Sequence, residues 1–293
     1  MPALQFDRIA LDAETENLRE QVRQFVQENE GHFERPNSDF VTGHDPEFSR
    51  KLGEKGWIGM TWPTGYGGGE RSNFDRLVVT EELLAAGAPV SAHWIADRQS
   101  GPLLLRFGTE EQRQRYLPGI CRGESYFSIG MSEPDTGSDL ASVRTSAILE
   151  GDNYRVNGTK IWTTDAHRND YIICLVRTQP AEENRHAGLS QIIIDLKRDG
   201  AKDRPIKNMA GGEDFNEVVF EDVIVPKDRI VGEAGNGWAQ VTSELAYERS
   251  GPERFLSAFR VFVELVRFCG PEPTQYQATV IGRIASHIMT LRR

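Results

Sequence analysis

Between about residues 123 and 232 the chain is a succession of short β-type runs separated by turn residues, and on both sides of it the hydrophobic spacing is helical. That change of period, from 3.6 residues to two and back, confines the fold to an α+β multidomain arrangement. Tyr171-Ile-Ile-Cys-Leu-Val176 and Leu189-Ser-Gln-Ile-Ile-Ile-Asp-Leu196 read as buried strands. Ala147 to Val156 reads as two strands joined at Gly151-Asp152-Asn153, a hairpin signal. Asn157-Gly158 reads as a second tight turn, leading into a strand over 159–164. Phe215–Val219 and Val223-Ile-Val-Pro226 complete the block. Several short strands at regular spacing predict a small antiparallel barrel or sandwich.

The flanking blocks, 1–122 and 233–293, predict helices. Leu18, Val22, Phe25 and Val26 repeat at helical spacing, and Pro46 to Gly56 reads as a short helix. Leu77–Ala86 and Pro102–Phe107 follow, and Thr109 with Gln112 forms a capping-box pattern opening another helix that closes near Pro118-Gly119. Between them, Trp57 to Gly69 is a glycine-rich loop whose two tryptophans, Trp57 and Trp62, should pin it to the core. It lacks the spacing of a phosphate loop. Trp238–Arg249, Glu253–Phe268 and Gln275–Arg293 are the helices of the last block. The final one has an apolar face (Val280, Ile281, Ile284, Ile288, Leu291) that is expected to need a partner.

One loop carries chemistry. Tyr126-Phe-Ser-Ile-Gly-Met-Ser-Glu-Pro-Asp-Thr-Gly-Ser-Asp139 begins as a strand and turns at Ser132. Pro134 fixes one φ, and Gly137 is expected to take a conformation other residues resist. Hydroxyls and free N–H groups there suit an anionic or carbonyl-rich ligand; an ordinary turn is the plain alternative. Ile161-Trp-Thr-Thr164 is expected to lie close to the loop. The flat face of Trp162 beside the Thr163 and Thr164 hydroxyls suits an isoalloxazine ring, the plain alternative being a core tryptophan among strand-forming threonines.

Charge and composition narrow the partners. With 34 basic and 44 acidic residues the net charge is −10, which argues against nucleic acid as the main partner. Three dispersed cysteines predict reduced thiols and a cytoplasmic setting. The six histidines lack metal-ligand spacing, no run reaches the ~18 apolar residues of a membrane span, and the N-terminus does not read as a signal peptide.

Taken together the motifs resemble the acyl-CoA dehydrogenases. The resemblance rests on Phe107-Gly-Thr-Glu-Glu-Gln112 with Tyr116-Leu-Pro118, on Ser132-Glu-Pro-Asp-Thr-Gly-Ser-Asp139, and on Val156-Asn-Gly-Thr-Lys-Ile-Trp-Thr-Thr164. It continues in Val219-Phe-Glu-Asp-Val-Ile-Val-Pro226 and Gly232-Glu-Ala-Gly-Asn-Gly-Trp238. It implies an N-terminal α-helical domain (1–122), a middle antiparallel β-barrel (123–232) and a shortened C-terminal α-helical domain (233–293). It also implies bound FAD, an acyl-CoA substrate, removal of the α-proton by a carboxylate and transfer of the β-hydride to flavin N5. An electron-transfer flavoprotein as acceptor and a homodimeric or homotetrameric assembly are implied as well.

By position, the resemblance assigns Ile129, Met131, Ser132, Gly137, Ser138, Trp162, Thr163 and Thr164 to the flavin, and Ser138, Tyr247 and Arg249 to the substrate. In most members the base lies on later helices that this chain does not contain. In a minority it lies where Glu248 stands. The alternatives for Glu248 are a surface charge or a helix–helix salt bridge, and Glu253-Arg254 leaves the register open by one segment. Phe268-Cys-Gly-Pro-Glu-Pro-Thr274 lacks the arginine with which relatives hold the FAD diphosphate. Two other readings therefore stay open, a partner-dependent or non-catalytic subunit and an oxygen-using relative.

Overall fold

The structure, a computed structural model, describes residues 10–32, 37, 40–180, 184–248 and 251–292. It is helical in its N-terminal part, a curled β-sheet in the middle and helical again at the C-terminal end. The chain forms two compact units, one from Met1–Phe40, Arg71–Pro89 and Gly251–Arg293, the other from Val41–Glu70 and Val90–Ser250.

In the first unit, α1 (Ala13–Glu28) starts at Asp12, whose carboxylate accepts from the Thr15 N–H at 2.7 Å. Its buried Leu18, Val22 and Phe25 pack against α3 (Asn73–Ala86), which presents Val78, Val79, Leu83 and Leu84. The buried Arg19 guanidinium reaches Glu82 at 2.6 Å and Glu81 at 3.3 Å. The later helices α8 (Glu253–Leu256), α9 (Phe259–Cys269) and α10 (Gln275–Leu291) belong to the same unit. Pro271 and Pro273 fall between α9 and α10, as their missing N–H groups require. No residue of α9 or α10 is buried, so the apolar side chains of the last helix remain partly or fully open.

The second unit holds α2 (Pro46–Glu54), α4 (Ser91–Ile95), a π-helical turn (Ala96–Ser100), α5 (Gly101–Phe107), α6 (Glu110–Cys121), the sheet and α7 (Gly237–Glu248). The capping box of α6 forms as the sequence predicts, but the helix runs through Pro118 to Cys121. Trp57 and Trp62 are buried, and they anchor the glycine-rich loop. The strands are β1 (Phe127–Gly130), β2 (Ser146–Glu150), β3 (Asn153–Thr164), β4 (Tyr171–Arg177), β5 (Leu189–Asp195), β6 (Lys202–Ile206) and β7 (Phe215–Pro226). They pair in the order β1-β4-β2-β3-β7-β6, with β5 also on β4.

Two expectations change. The sheet is not purely antiparallel, because β4 runs parallel to β1 and meets β2 in parallel at Ser146–Arg177. Asn157-Gly158 is no turn but lies inside one long strand, β3, opposite a bulge of β7: Val156 faces Val223 and Gly158 faces Phe220. Gly158 has φ +149° there, and a Cβ on it would meet the Thr145 Cα at 2.7 Å. The extra residue there is on β7, where Asp222 has φ +51°; such an insertion shifts the register by one and sharpens the local twist. The Gly151-Asp152 hairpin forms as expected. β5 is buried along its whole length and β4 along all but its two ends.

Candidate functional site

The loop leaves the end of β1 and is held against β3 by both backbone and charge. The Ile161 N–H donates to the Ser132 carbonyl at 2.9 Å. Glu133 and Thr136 exchange backbone hydrogen bonds at 2.7 and 3.0 Å, which folds Pro134-Asp135 into an exposed tip. The Glu133 carboxylate turns inward. It accepts from the Arg144 and Thr145 N–H groups at 2.8 and 2.9 Å and from the Thr145 hydroxyl at 2.5 Å. The fully buried Lys160 ammonium lies 2.9 Å from it and also donates to the Met131 carbonyl at 3.0 Å.

Burial pushes the Glu133 carboxyl up, but the Lys160 charge, the Thr145 hydroxyl and the Arg144 N–H outweigh it and hold the group below its ordinary value. Burial likewise lowers the Lys160 ammonium below its ordinary value, against the pull of Glu133. The pair clamps the loop to the strand. Neither residue was assigned a role from sequence, although both stood inside the motifs. The signal was Lys160, the one charge in 156–164, opposite a loop with three acids, Glu133, Asp135 and Asp139, whose spacing does not say which turns inward.

Trp162 sits at a bulge of β3 itself, between Lys160 and Thr163. Its φ is +61° and it is 58% exposed, with the ring edge-on to Phe215 at 6.4 Å. A left-handed backbone at a bulky residue costs roughly 1–2 kcal/mol, and such strain concentrates at functional sites. Trp162 is therefore not a core tryptophan. Thr164 is half-buried on the same strand, its carbonyl accepting from the Ser128 hydroxyl at 2.7 Å. Thr163 differs from expectation. It is fully buried and its hydroxyl has no partner among the described residues; the extra residue of the bulge resets the alternation after the buried Lys160 and turns that side chain inward.

Ser132 is half-buried and Ser138 exposed, and neither hydroxyl is bonded within the described residues. Gly137 departs from the expected reason for a glycine. Its φ is not left-handed, and a Cβ there would meet nothing within 4 Å. The space above it is open, which leaves room for a ligand to approach the backbone. Ile129 and Met131 are half-buried, and Met131 packs with Leu140 and Trp238 against Val143, Leu175, Leu189 and Val241.

Beyond Ser138 the loop is braced by the β4–β5 connection. Arg185 bonds Asp139 and reaches the Ser142 hydroxyl at 2.6 Å. The Arg177 guanidinium donates to the Ala141 and Ala187 carbonyls, each at 3.0 Å. His186 stacks on Trp238 of α7 at 4.1 Å. Below it α7 lies on β5, where Gln191 donates to the buried Glu244 at 2.9 Å. Tyr247 and Glu248 are in the last turn of α7, but their side chains, and all of Arg249, lie outside the described residues. The site thus gathers an exposed indole, two open hydroxyls and an uncovered backbone glycine beside a buried ionic clamp. That set fits a planar heteroaromatic group bearing carbonyls.

Comparison with known proteins agrees. Residues 12–124 match the family model for the acyl-CoA dehydrogenase N-terminal domain, and residues 128–223 that for the middle domain. The acyl-CoA dehydrogenase FadE26 of Mycobacterium tuberculosis is 40% identical over 68% of this chain and 50% of its own length. FadE29 of the same organism is 36% identical over 86% and 65%. The chain thus spans one half to just under two thirds of these curated relatives. Among solved structures, the Tcur3481-Tcur3483 steroid ACAD superposes with a TM-score of 0.87 at 31% identity, covering 98% of this chain and 75% of that one. The ChsE4-ChsE5 complex from Mycobacterium tuberculosis gives 0.83 at 32%, covering 98% and 76%. Proteins with these domains use FAD. On its domains, its relatives and its fold, the chain belongs to the acyl-CoA dehydrogenase family.

Proposed function

We propose that the protein is a flavin-dependent dehydrogenase that desaturates a CoA thioester between Cα and Cβ. The observation that carries the reading is Trp162, held exposed in a left-handed bulge directly after the strand residue that bonds Ser132. Ile129, Met131, Ser132, Gly137, Ser138, Trp162 and Thr164 would hold FAD, with Thr163 contributing main chain rather than hydroxyl. Bound there, FAD would supply the acceptor for the β-hydride. Ser138, Tyr247 and Arg249 are proposed to line the CoA path, and the Glu248 carboxylate to take the α-proton. A carboxylate can do so when an apolar setting raises its pKa toward that of its task. Donors toward the thioester carbonyl would stabilise the developing enolate. The domain borders near 122 and 232 are proposed at the points where helical sequence gives way to strand and returns.

The similarity to a steroid ACAD makes a steroid-linked CoA thioester the first substrate to test. An electron-transfer flavoprotein is the proposed acceptor and a homodimer or homotetramer the simplest assembly. The paired names of two similar structures favour a second reading, that this chain is one subunit of a two-component enzyme. Anaerobic addition of a CoA thioester to the FAD-loaded protein should bleach its blue absorption, and Glu248→Gln should slow the bleaching by about a hundredfold or more. Bleaching at the parental rate removes Glu248 as the base. Bleaching only after a second subunit is added supports the two-component reading.

A further inference from the structure

At the opposite end of β1 from the loop lies a cleft that the flavin reading does not use. Four strand residues separate the two, about 13 Å at the usual rise. The cleft has a volume of about 480 Å3 and lies between the second half of α6, the start of β4 and the end of β5. That is the size of a small-molecule site.

Its charge balance runs against that of the chain, which is net −10. Arg115, Arg122, Lys197 and Arg198 all line it. The acids beside them are already engaged. Glu124 is paired with Arg122 at 2.6 Å. Asp170 accepts from the Tyr126 N–H at 2.9 Å. Asp195 accepts from the N–H groups of Lys197 and Arg198, both at 3.0 Å. The Lys197 ammonium bonds the His167 carbonyl at 3.1 Å, and among the described residues neither that ammonium nor the Arg115 guanidinium has a carboxylate oxygen within 4.0 Å.

The lining also holds an unused donor. Tyr116 is 2% exposed, and its hydroxyl has no hydrogen-bond partner among the described residues. Buried hydroxyls are usually bonded. Its ring stands edge-on to Tyr171 at 5.2 Å, and both rings line the cleft. Arg198 lies 3.9 Å from Asp195, so Arg115 and Lys197 are the two lining cations without acidic partners; with a buried unpaired hydroxyl and an aromatic wall they match an oxyanion carried on a compact, flat molecule.

We propose that this cleft binds a phosphoryl group, with Arg115 and Lys197 as its charged contacts and the Tyr116 hydroxyl as the donor at its floor. Calorimetric titration of the protein at low ionic strength with inorganic phosphate, AMP and adenosine tests it. Phosphate and AMP should bind and adenosine should not. Replacing both exposed cations (Arg115→Ala with Lys197→Ala) should weaken binding by about tenfold or more. Tyr116→Phe should weaken it with unchanged circular dichroism. Arg185→Ala, at the other end of β1, should leave it unchanged. AMP binding more tightly than phosphate supports a nucleotide as the source, and equal affinities support the free anion. Absence of phosphate and AMP binding, adenosine binding as well as AMP, or undiminished binding in the double variant overturns the proposal.

Discussion

Glu133 and Lys160 are the residues on which the loop most depends. A buried pair loses about 3–5 kcal/mol when one partner is removed, because the other charge is stranded. Glu133→Gln and Lys160→Met should each destabilise the protein by that order in urea unfolding. The double replacement Glu133→Leu with Lys160→Met should cost less than the two single losses added. The acid side follows from the direction of the shift. The Glu133 pKa is depressed below 4.5 in the folded state, so its contribution is complete above that value and is lost as pH falls through the depressed one. Glu133→Gln should therefore flatten the acid limb of the stability curve. Trp162 offers a different contrast. Trp162→Gly removes the left-handed strain but adds the entropy of glycine. Stability should change by less than about 1 kcal/mol, while FAD affinity falls about tenfold or more if the indole is a wall of the flavin site.

At the scale of elements, the strand run, the helical flanks, the hairpin at Gly151-Asp152 and the capping box at Thr109 were legible in the sequence. Each depends on local periodicity or on a cap, which neighbouring residues decide. The two bulges of the β3–β7 pair were not legible. Asn-Gly reads as a tight turn from local chemistry, and only the continuous partner β7 keeps the chain extended through it. The same long-range pairing places Thr163 inside while Trp162 stays outside. The ionic clamp escaped notice for a related reason, since residues 27 positions apart meet only once the loop and β3 are adjacent. Gly158→Ala tests the bulge. With φ +149° and the Thr145 backbone in the way, it should destabilise by about 1–3 kcal/mol in thermal or urea unfolding. A second test concerns α6. Gln112 completes the helix cap and also donates to the Asp228 and Ile230 carbonyls at 2.8 and 2.6 Å. Thr109→Ala should cost about 1 kcal/mol. Gln112→Ala should cost more, because it strands buried carbonyls as well.

On the scale of the molecule, the family supplies a scaffold and the site decides what the scaffold does. The second unit carries the loop, the bulged strand and the helix with the proposed base within one compact body. Among the described residues no helix is long and apolar enough to cross a membrane. The central claim is that the loop at Ser132–Ser138 and the bulge at Trp162 form a wall of the FAD site. The most direct measurement is the FAD affinity of the protein and of its Trp162→Leu variant, read from quenching of flavin fluorescence and the blue absorption of the bound form. The account predicts that the parent retains oxidised flavin and that Trp162→Leu, with unchanged folding, weakens it by about tenfold or more. Equal flavin affinity in the two proteins, or none in a folded parent, would contradict it.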